Sequence, residues 1–283
     1  MNFKKSYANL PSEDKERILR QYKLEVELSN ILRNASKEQR QNLYAKLYNK
    51  YFKSLPDHPM MQRKNNFKQQ TIRATRHTAM LLNFINQNDS ILEIGCGDCS
   101  TAFEVCNHVK YVTGLDVSNE ISKLHSAPKN FSFLQSNGTT INLPPNSINL
   151  IYSNMLIEHL HYEDAFTQIS NAFKVLVKGG TYICSTIHKY FGPGDVSLYF
   201  GNTPVGFHLK EYTNYDLYKV FKKSGFTKFS LFTSYRGIKI KLPIIFSIII
   251  EALLYPFPHQ TRKYLSKIII FRKFINGQFI AIK

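Results

Sequence analysis

Short apolar runs separated by helical patterns dominate the middle of the chain. From residue 90 onward, runs of four or five apolar positions alternate with segments whose apolar residues recur at helical spacing. This pattern predicts strands at 91–94, 111–115, 131–135, 148–152 and 182–186, with helices at 100–108 and 163–177, the second ended by Gly179-Gly180. Strands that alternate with helices indicate an α/β protein with a doubly wound parallel sheet.

The first 85 residues are helical in pattern and carry no strand signal. Apolar positions predict a helix over 12–34, with Ser12 as its cap. A second helix begins with a capping box between Ser36 and Gln39 and reaches about Leu55, and a third spans about 71–85. The polar stretch 61–68 reads as a loop or short lid. We therefore divide the chain into an N-terminal helical extension, 1–70, and a main domain, 71–283.

The C-terminal third combines a long loop with two closing strands. Residues 188–212 lack a regular pattern, and connections of this length are usually functional. Thr213 and Asp216 cap a helix that ends near Lys223, and strands are predicted at 226–234 and 276–283. Between them lies an insertion, 237–272, with a 13-residue apolar run followed by basic residues. It predicts a helical pair buried against the core, a membrane-interface segment or a protein contact.

A glycine turn after the first strand is the main functional signal. Gly95 and Gly97 let the backbone approach a ligand, and Asp116 ends the next strand, where it can accept from two ribose hydroxyls. Glu93 inside the strand and Ser100 in place of a third glycine disfavour a dinucleotide.

The four cysteines form no second pair, so no metal site is predicted, and they indicate a reduced, cytoplasmic protein.

These residues resemble the class I S-adenosylmethionine-dependent methyltransferases. The resemblance rests on Glu93-x-Gly95-x-Gly97, Asp116, Asn137-Gly138, Ser153-Asn154 and Glu158-His159, and it covers about 70–235 and the final strand. It is closest to the small-molecule branch of bacterial glycan and natural-product pathways. The resemblance implies an enzyme with S-adenosyl-L-methionine as cofactor and a seven-stranded sheet whose last strand is antiparallel.

The resemblance also implies roles for individual residues. Glu93 would hold the ammonium end of the cofactor, and Asp116 would bind its ribose. Asn137 would accept from the adenine amine, and Asn154 would contact the methionine part through its backbone. The remaining cofactor-binding positions that it implies are Gly95, Gly97, Val117 and Gly138.

Transfer to a hydroxyl needs a base whose pKa is near neutrality. His159, next to Glu158, is the first candidate, and a structural hydrogen bond is an equally good interpretation of it. His208, in the long loop, is the second candidate. These three residues form the predicted catalytic set.

Charge suggests the kind of acceptor. Residues 1–85 carry a net +10, residues 86–218 carry −5 and residues 219–283 carry +12, within a total of +17. Two basic flanks favour an anionic partner, such as a sugar nucleotide, a glycan or a lipid-linked precursor, although a solvated basic surface has the same composition.

No Asn-Pro-Pro-Tyr or Pro-Cys motif follows the fourth strand, which disfavours nucleic acid as the acceptor. An RNA methyltransferase and a membrane-recruited, non-catalytic protein are the alternatives. The sequence does not indicate an oligomeric state.

Overall fold

The computed structural model describes residues 3–59, 61, 67–120, 122, 124–235 and 238–283. The strands are β1 (Ser90–Ile94), β2 (Tyr111–Asp116), β3 (Phe131–Gln135), β4 (Ile148–Asn154), β5 (Leu176–Ser185), β6 (Lys228–Tyr235), β7 (Ile238–Pro243) and β8 (Gln278–Ile282). The helices are α1 (Ser12–Asn34), α2 (Lys37–Ser54), α3 (Phe67–Leu81), α4 (Ser100–Val105), α5 (Tyr162–Val175), α6 (Asn214–Lys223), α7 (Ile244–Leu254), α8 (His259–Lys267) and α9 (Ile269–Ile275).

All eight strands of the described residues form one mixed sheet. Its order is β3-β2-β1-β4-β5-β8-β6-β7, and the first five strands are parallel. The closing strand β8 runs antiparallel between β5 and β6, as predicted for the last strand. The sequence prediction of seven strands was wrong by one, because β7 pairs antiparallel with β6 at the edge of the sheet. The chain reversal at the centre of this order brings the carboxyl ends of β1, β2 and β4 to one edge.

The central strands are apolar on both faces because helices cover both faces of the sheet. In β1, Ile91, Leu92 and Ile94 are all buried, and they fall into two separate apolar clusters. The larger cluster includes side chains of α1 and α2 as well as of the sheet. The N-terminal helices therefore share the core of the α/β domain, on the side where the parallel strands end.

Local capping signals predicted the starts of two helices accurately. The capping box between Ser36 and Gln39 precedes α2, and a second between Thr213 and Asp216 precedes α6. Helix α1 also matches its prediction, although Pro11 is the residue before the helix and Ser12 its first residue. Helix α3 lies four residues earlier than predicted, at Phe67–Leu81. Residues 62–66 of the predicted lid 61–68 lie outside the described residues.

Gly179-Gly180 does not end a helix, which corrects the sequence prediction. Helix α5 ends at Val175, and both glycines lie inside β5. The pairing with β4 shifts there, since Ile148 pairs with Leu176 but Leu150 pairs with Thr181. Gly179 has φ +78°, so its freedom serves a bulge in the strand rather than a helix terminus.

The insertion contains an edge strand and three short helices instead of one buried helical pair. Strand β7 leads into α7, and α8 and α9 return the chain to β8. No helix among the described residues has the length and apolarity needed to cross a membrane.

Candidate active site

The glycine turn lies between β1 and α4. Gly95 and Gly97 have φ of +74° and +52°, and Cys99 follows with φ 61°. A Cβ on Gly95 would lie 3.0 Å from Leu156 Cδ1, so a larger residue would strain the backbone and crowd this side chain. The Gly97 N–H donates to Asp116 Oδ2 over 2.9 Å. The turn and the end of β2 are thus joined directly.

Asp116 stands where the sequence placed it, at the end of β2. Its Oδ1 accepts from the Ser118 N–H over 3.2 Å, in addition to the bond from Gly97. Burial raises the pKa of this carboxyl above its ordinary value, while the backbone N–H groups oppose the rise. Both oxygens are fixed in position by backbone donors, and their remaining lone pairs can accept from a ligand.

Glu93 is buried inside β1 with one carboxylate oxygen unpartnered. Its Oε2 has no hydrogen-bond partner, although the side chain is only 7% exposed. Burial, followed by the charge of Asp98, raises its pKa to about 8. A buried acid with an unused oxygen beside the turn suits a cationic ligand group, because that group would supply the missing partner.

The turn after β3 brings Gly138 to the cavity but uses the side chain of Asn137 locally. Asn137 Oδ1 accepts from the backbone and hydroxyl groups of Thr139 and Thr140, over 2.9 to 3.1 Å. These bonds occupy the oxygen expected to accept from adenine. Gly138 has φ +95°, and a Cβ there would lie 2.7 Å from Tyr44 Cδ2. The glycine, rather than Asn137, is among the residues that line the cavity.

One cavity of about 630 Å³ joins these elements. Its first part is lined by residues of the strand ends, including Glu93, Gly95, Gly97, Asp116, Val117 and Asn154. Its second part is lined by α1, α2 and the loop 188–212, through Glu25, Tyr48, Tyr51, Asp195, Phe207 and His208. A volume of this size is typical of a site for small organic ligands.

The N-terminal helices and the long loop are bonded to each other across the second part. Arg33 Nη1 and Nη2 donate to the carbonyls of Leu209 and His208, each over 2.9 Å. Tyr48 stacks on Phe207, with ring centroids 4.9 Å apart. Glu25 Oε2 accepts from the Phe207 N–H. The loop that carries His208 is therefore held by α1 and α2.

The three predicted catalytic residues come together, although 49 positions separate His159 from His208. The two imidazole rings meet edge to face at 4.9 Å. Glu158 is fully buried, its Oε2 accepts from the Thr186 hydroxyl over 2.7 Å, and its Oε1 has no partner. One ligand atom from each of the three residues lies within 4.8 Å of the other two, so the group could surround a divalent cation. The sequence predicted no metal.

The two histidines differ in protonation because their partners differ. His159 Nδ1 lies 3.1 Å from the Phe207 carbonyl, which only accepts, so this nitrogen carries the proton. Burial and the neighbouring His208 lower the pKa of His159 to about 3. Burial also opposes protonation of His208, but the hydrogen bond with Glu211 and the charge of Glu158 outweigh it and raise the His208 pKa.

Glu211 is a partner of His208 that the sequence analysis did not predict. Its Oε1 lies 2.8 Å from His208 Nδ1 and also accepts from the Gly194 N–H over 2.6 Å. The carboxylate fixes the ring of His208 and favours the tautomer with the proton on Nδ1. The spacing His208-x-x-Glu211 was visible in the sequence, but in an irregular loop this spacing does not predict contact.

A methyltransferase family model matches the segment of the chain that contains much of this site. Residues 92–184 match the family described as "Methyltransferase domain", and they run from β1 into β5. This segment contains the glycine turn, Asp116, Glu158 and His159.

Residues 92–184 are a methyltransferase domain, and the chain is an enzyme whose cofactor is S-adenosylmethionine. The cavity fits that cofactor, since the unpartnered Glu93 oxygen can meet a cationic group and the glycines leave space for a close ligand.

One solved structure with a TM-score above 0.5 shares the fold of this chain. The chain is similar to the complex between the Haloferax volcanii Trm112 methyltransferase activator and a methyltransferase, with TM-score 0.54, 14% identity, and coverage of 78% of this chain and 93% of that chain. It is also similar to an S-adenosylmethionine-dependent methyltransferase from Archaeoglobus fulgidus, with TM-score 0.49, 16% identity, and coverage of 74% and 94%. No curated protein matches the sequence.

Glu93 gives a pH-dependent prediction for cofactor binding. Because its pKa is about 8 in the free methyltransferase, the side chain is mostly protonated at pH 7. A cationic ligand favours the ionised form, so binding should release a proton and Kd should fall by up to about tenfold per pH unit between pH 6 and 8. The Glu93→Gln variant should bind more weakly and lose this slope. Calorimetric titration with S-adenosylhomocysteine in buffers of different ionisation enthalpy measures both effects.

Stability provides a second measurement on the same variant. A carboxyl whose pKa is higher in the folded than in the unfolded protein stabilises the fold fully below its unfolded pKa. This contribution is lost as the pH rises through the folded pKa. The ligand-free wild type should therefore lose stability between about pH 4.5 and 8, and Glu93→Gln should lose less over that window. Equal slopes in both proteins would contradict the assignment of Glu93 as a buried, protonated acid.

Proposed function

We propose that the enzyme methylates a hydroxyl of a glycan-type acceptor, such as a sugar nucleotide or a lipid-linked precursor, with His208 as the base. The observation that carries this proposal is His208, which lines the same cavity as the glycine turn and is hydrogen-bonded to the buried Glu211. The bound cofactor supplies a methyl group that is already activated as a sulfonium. The chain itself has to bind the acceptor, orient it and remove its proton.

His208 is better suited to proton removal than His159. Its Nδ1 proton is committed to Glu211, so Nε2 is left to accept the proton of an acceptor hydroxyl. Glu211 then stabilises the imidazolium that forms. His159 has a pKa of about 3, too low for an efficient base at neutral pH. We assign His159 to positioning, with its Nε2 as an acceptor for a second hydroxyl of the acceptor molecule.

The charges around the cavity favour a neutral or cationic reacting end. The described lining contains the acids Glu25, Glu93, Asp98, Asp116 and Asp195, against the bases Arg17 and Arg73. A sugar hydroxyl suits this lining, and an amine is the alternative acceptor. The anionic portion that the basic flanks predicted would lie outside the cavity, toward those flanks.

The acceptor class can be tested by radiolabelled methyl transfer. The enzyme is incubated with tritiated S-adenosylmethionine and an extract of the source cells, and lipid, soluble and nucleic-acid fractions are separated. We expect the label in the lipid or soluble fraction, with mild acid releasing a methylated sugar. Label that stays in nucleic acid would overturn the proposal, and so would label released as a methylated base or amino acid.

A further inference from the structure

Helix α7 has its polar residues inside and its apolar residues outside. Ser247 and Glu251 are buried, at 2% and 3% exposure. Four large apolar side chains on the same helix are about half exposed or more: Ile245 (52%), Phe246 (48%), Ile249 (48%) and Leu253 (61%). A surface helix of a soluble protein normally shows the reverse arrangement. The outer face of α7 therefore lacks an apolar partner among the described residues.

The buried polar residues hold α7 in this orientation. Glu251 Oε1 accepts from the Asn214 N–H over 2.7 Å, and Oε2 accepts from the Tyr215 N–H over 3.0 Å, at the first turn of α6. Glu251 Oε1 also lies 2.8 Å from His188 Nε2. The Ser247 hydroxyl accepts from Asn214 Nδ2 over 2.7 Å. Rotating α7 to hide its apolar face would break these bonds and leave a carboxylate buried without partners.

The exposed apolar surface continues beyond α7. Helices α7, α8 and α9 pack on one another around a small core that contains Leu254 and Ile275. Further large side chains of this segment are exposed, namely Tyr255, Phe257, Tyr264, Ile268, Ile269 and Ile270. Large exposed apolar patches usually mark a binding surface.

Every exposed charge on this segment is positive. Residues 238–283 contain eight lysines and arginines, and their one acid is the buried Glu251. Lys239 and Lys241 on β7, Lys267 on α8 and Arg272 on α9 are exposed. A second copy of the chain would bring like charges together, which disfavours a symmetric dimer through this face. An anionic lipid surface offers both an apolar layer and negative headgroups.

We propose that this surface, formed by β7, α7, α8 and α9, docks the enzyme on an anionic lipid bilayer. Helix α7 has 11 residues, about half of what a membrane span requires, so it would lie in the interface. The docking surface is joined to the loop 188–212, which lines the second part of the cavity. Tyr190 Oη donates to the Glu251 carbonyl over 3.0 Å, and Lys263 Nζ donates to the Gly192 carbonyl over 2.8 Å.

This placement favours the lipid-linked precursor among the proposed acceptors. That extension rests on the proposed function, whereas the docking itself does not. A lipid-linked acceptor would remain anchored in the bilayer while its head group enters the cavity.

Vesicle flotation tests the docking. The full chain is mixed with vesicles of phosphatidylcholine, or of an equimolar mixture with phosphatidylglycerol, and centrifuged in a density gradient. We expect flotation with the anionic vesicles and little with the neutral ones. Phe246→Ser and Leu253→Ser should each weaken partitioning by about tenfold, and Lys239→Glu and Lys241→Glu by roughly fivefold each. Ile72→Ser, at a position 60% exposed on α3, is the matched control and should float like the wild type.

Each variant is also measured by thermal melting and by S-adenosylhomocysteine titration, which should both match the wild type. Docking would be overturned if the wild type stayed with the soluble fraction, or if the α7 variants floated unchanged. A wild-type dimer that does not float and that Phe246→Ser dissociates would make the surface a self-interface instead. Label transfer to a soluble sugar by protein that floats would retain docking and reject the lipid-linked acceptor.

Discussion

Replacement of His208 by asparagine is expected to lower the rate of methyl transfer by about 10²–10⁴-fold, the usual contribution of a general base. Asparagine retains a donor toward Glu211, so the loop should remain in place, but it cannot accept the proton of the acceptor. The affinity for the cofactor should therefore be unchanged, because the first part of the cavity, at the strand ends, is intact. Single-turnover transfer from tritiated S-adenosylmethionine and a separate cofactor titration measure the two quantities.

Glu211→Gln is the companion variant for the same assignment. Losing the carboxylate charge should lower the pKa of His208, since the hydrogen bond with Glu211 is the largest of the interactions that raise it. A base must be unprotonated to act, so the acidic limb of the rate profile should move to lower pH, with a smaller loss of rate than in His208→Asn.

Dialysis of the wild-type enzyme against a chelator should leave the rate unchanged. A loss restored by added zinc would replace the base with a metal site at Glu158, His159 and His208.

Replacement of Arg40 by alanine is expected to cost about 3–5 kcal/mol of unfolding free energy, as when one partner of a buried ion pair is removed. Arg40 on α2 is 2% exposed, and its Nε donates to Asp164 Oδ2 over 2.5 Å. Asp164 is fully buried at the start of α5 and also accepts from the Tyr44 hydroxyl over 2.8 Å. Without Arg40 this carboxylate would remain buried with one neutral donor. Urea unfolding followed by circular dichroism gives the difference.

The matched control lies on the same helix. Lys50 Nζ lies 2.8 Å from Glu27 Oε1 on α1, but both side chains are about half exposed. Lys50→Ala should therefore cost at most about 1 kcal/mol. The double variant Arg40→Met with Asp164→Leu removes both charges and should regain much of the loss. A small effect of Arg40→Ala alone would show that α2 is not held on α5 by this pair.

Local signals made most of the fold predictable from the sequence. The capping boxes before α2 and α6 depend on residues three apart, and the central strands are apolar runs whose length alone separates them from helices. Strand β7 was missed although Ile238-Lys239-Ile240-Lys241 alternates strictly, because the apolar run after it drew the interpretation toward helices. The glycines of β5 could not be assigned, since their role depends on pairing with β4.

The part of the candidate site at the strand ends was more predictable than the part lined by the loop 188–212. Glu93, Gly95, Gly97 and Asp116 lie near strand ends, and the topology brings strand ends together. The meeting of His159 with His208 depends on how the loop 188–212 packs under α1 and α2, which no local pattern encodes. Its consequence, a raised pKa in one ring and a lowered pKa in the other, reversed our order of preference between the two histidines.

The central claim is that the glycine turn and Asp116 form the cofactor site, and calorimetric titration with S-adenosylhomocysteine tests it most directly. We predict a Kd near 1 μM for the wild type, about −8 kcal/mol. Asp116→Ala should bind about 100-fold more weakly, because two bonds to a charged group are lost. Asp89→Ala, at the opposite end of β1, is the control and should bind normally. Equal binding by Asp116→Ala and the wild type would contradict the assignment.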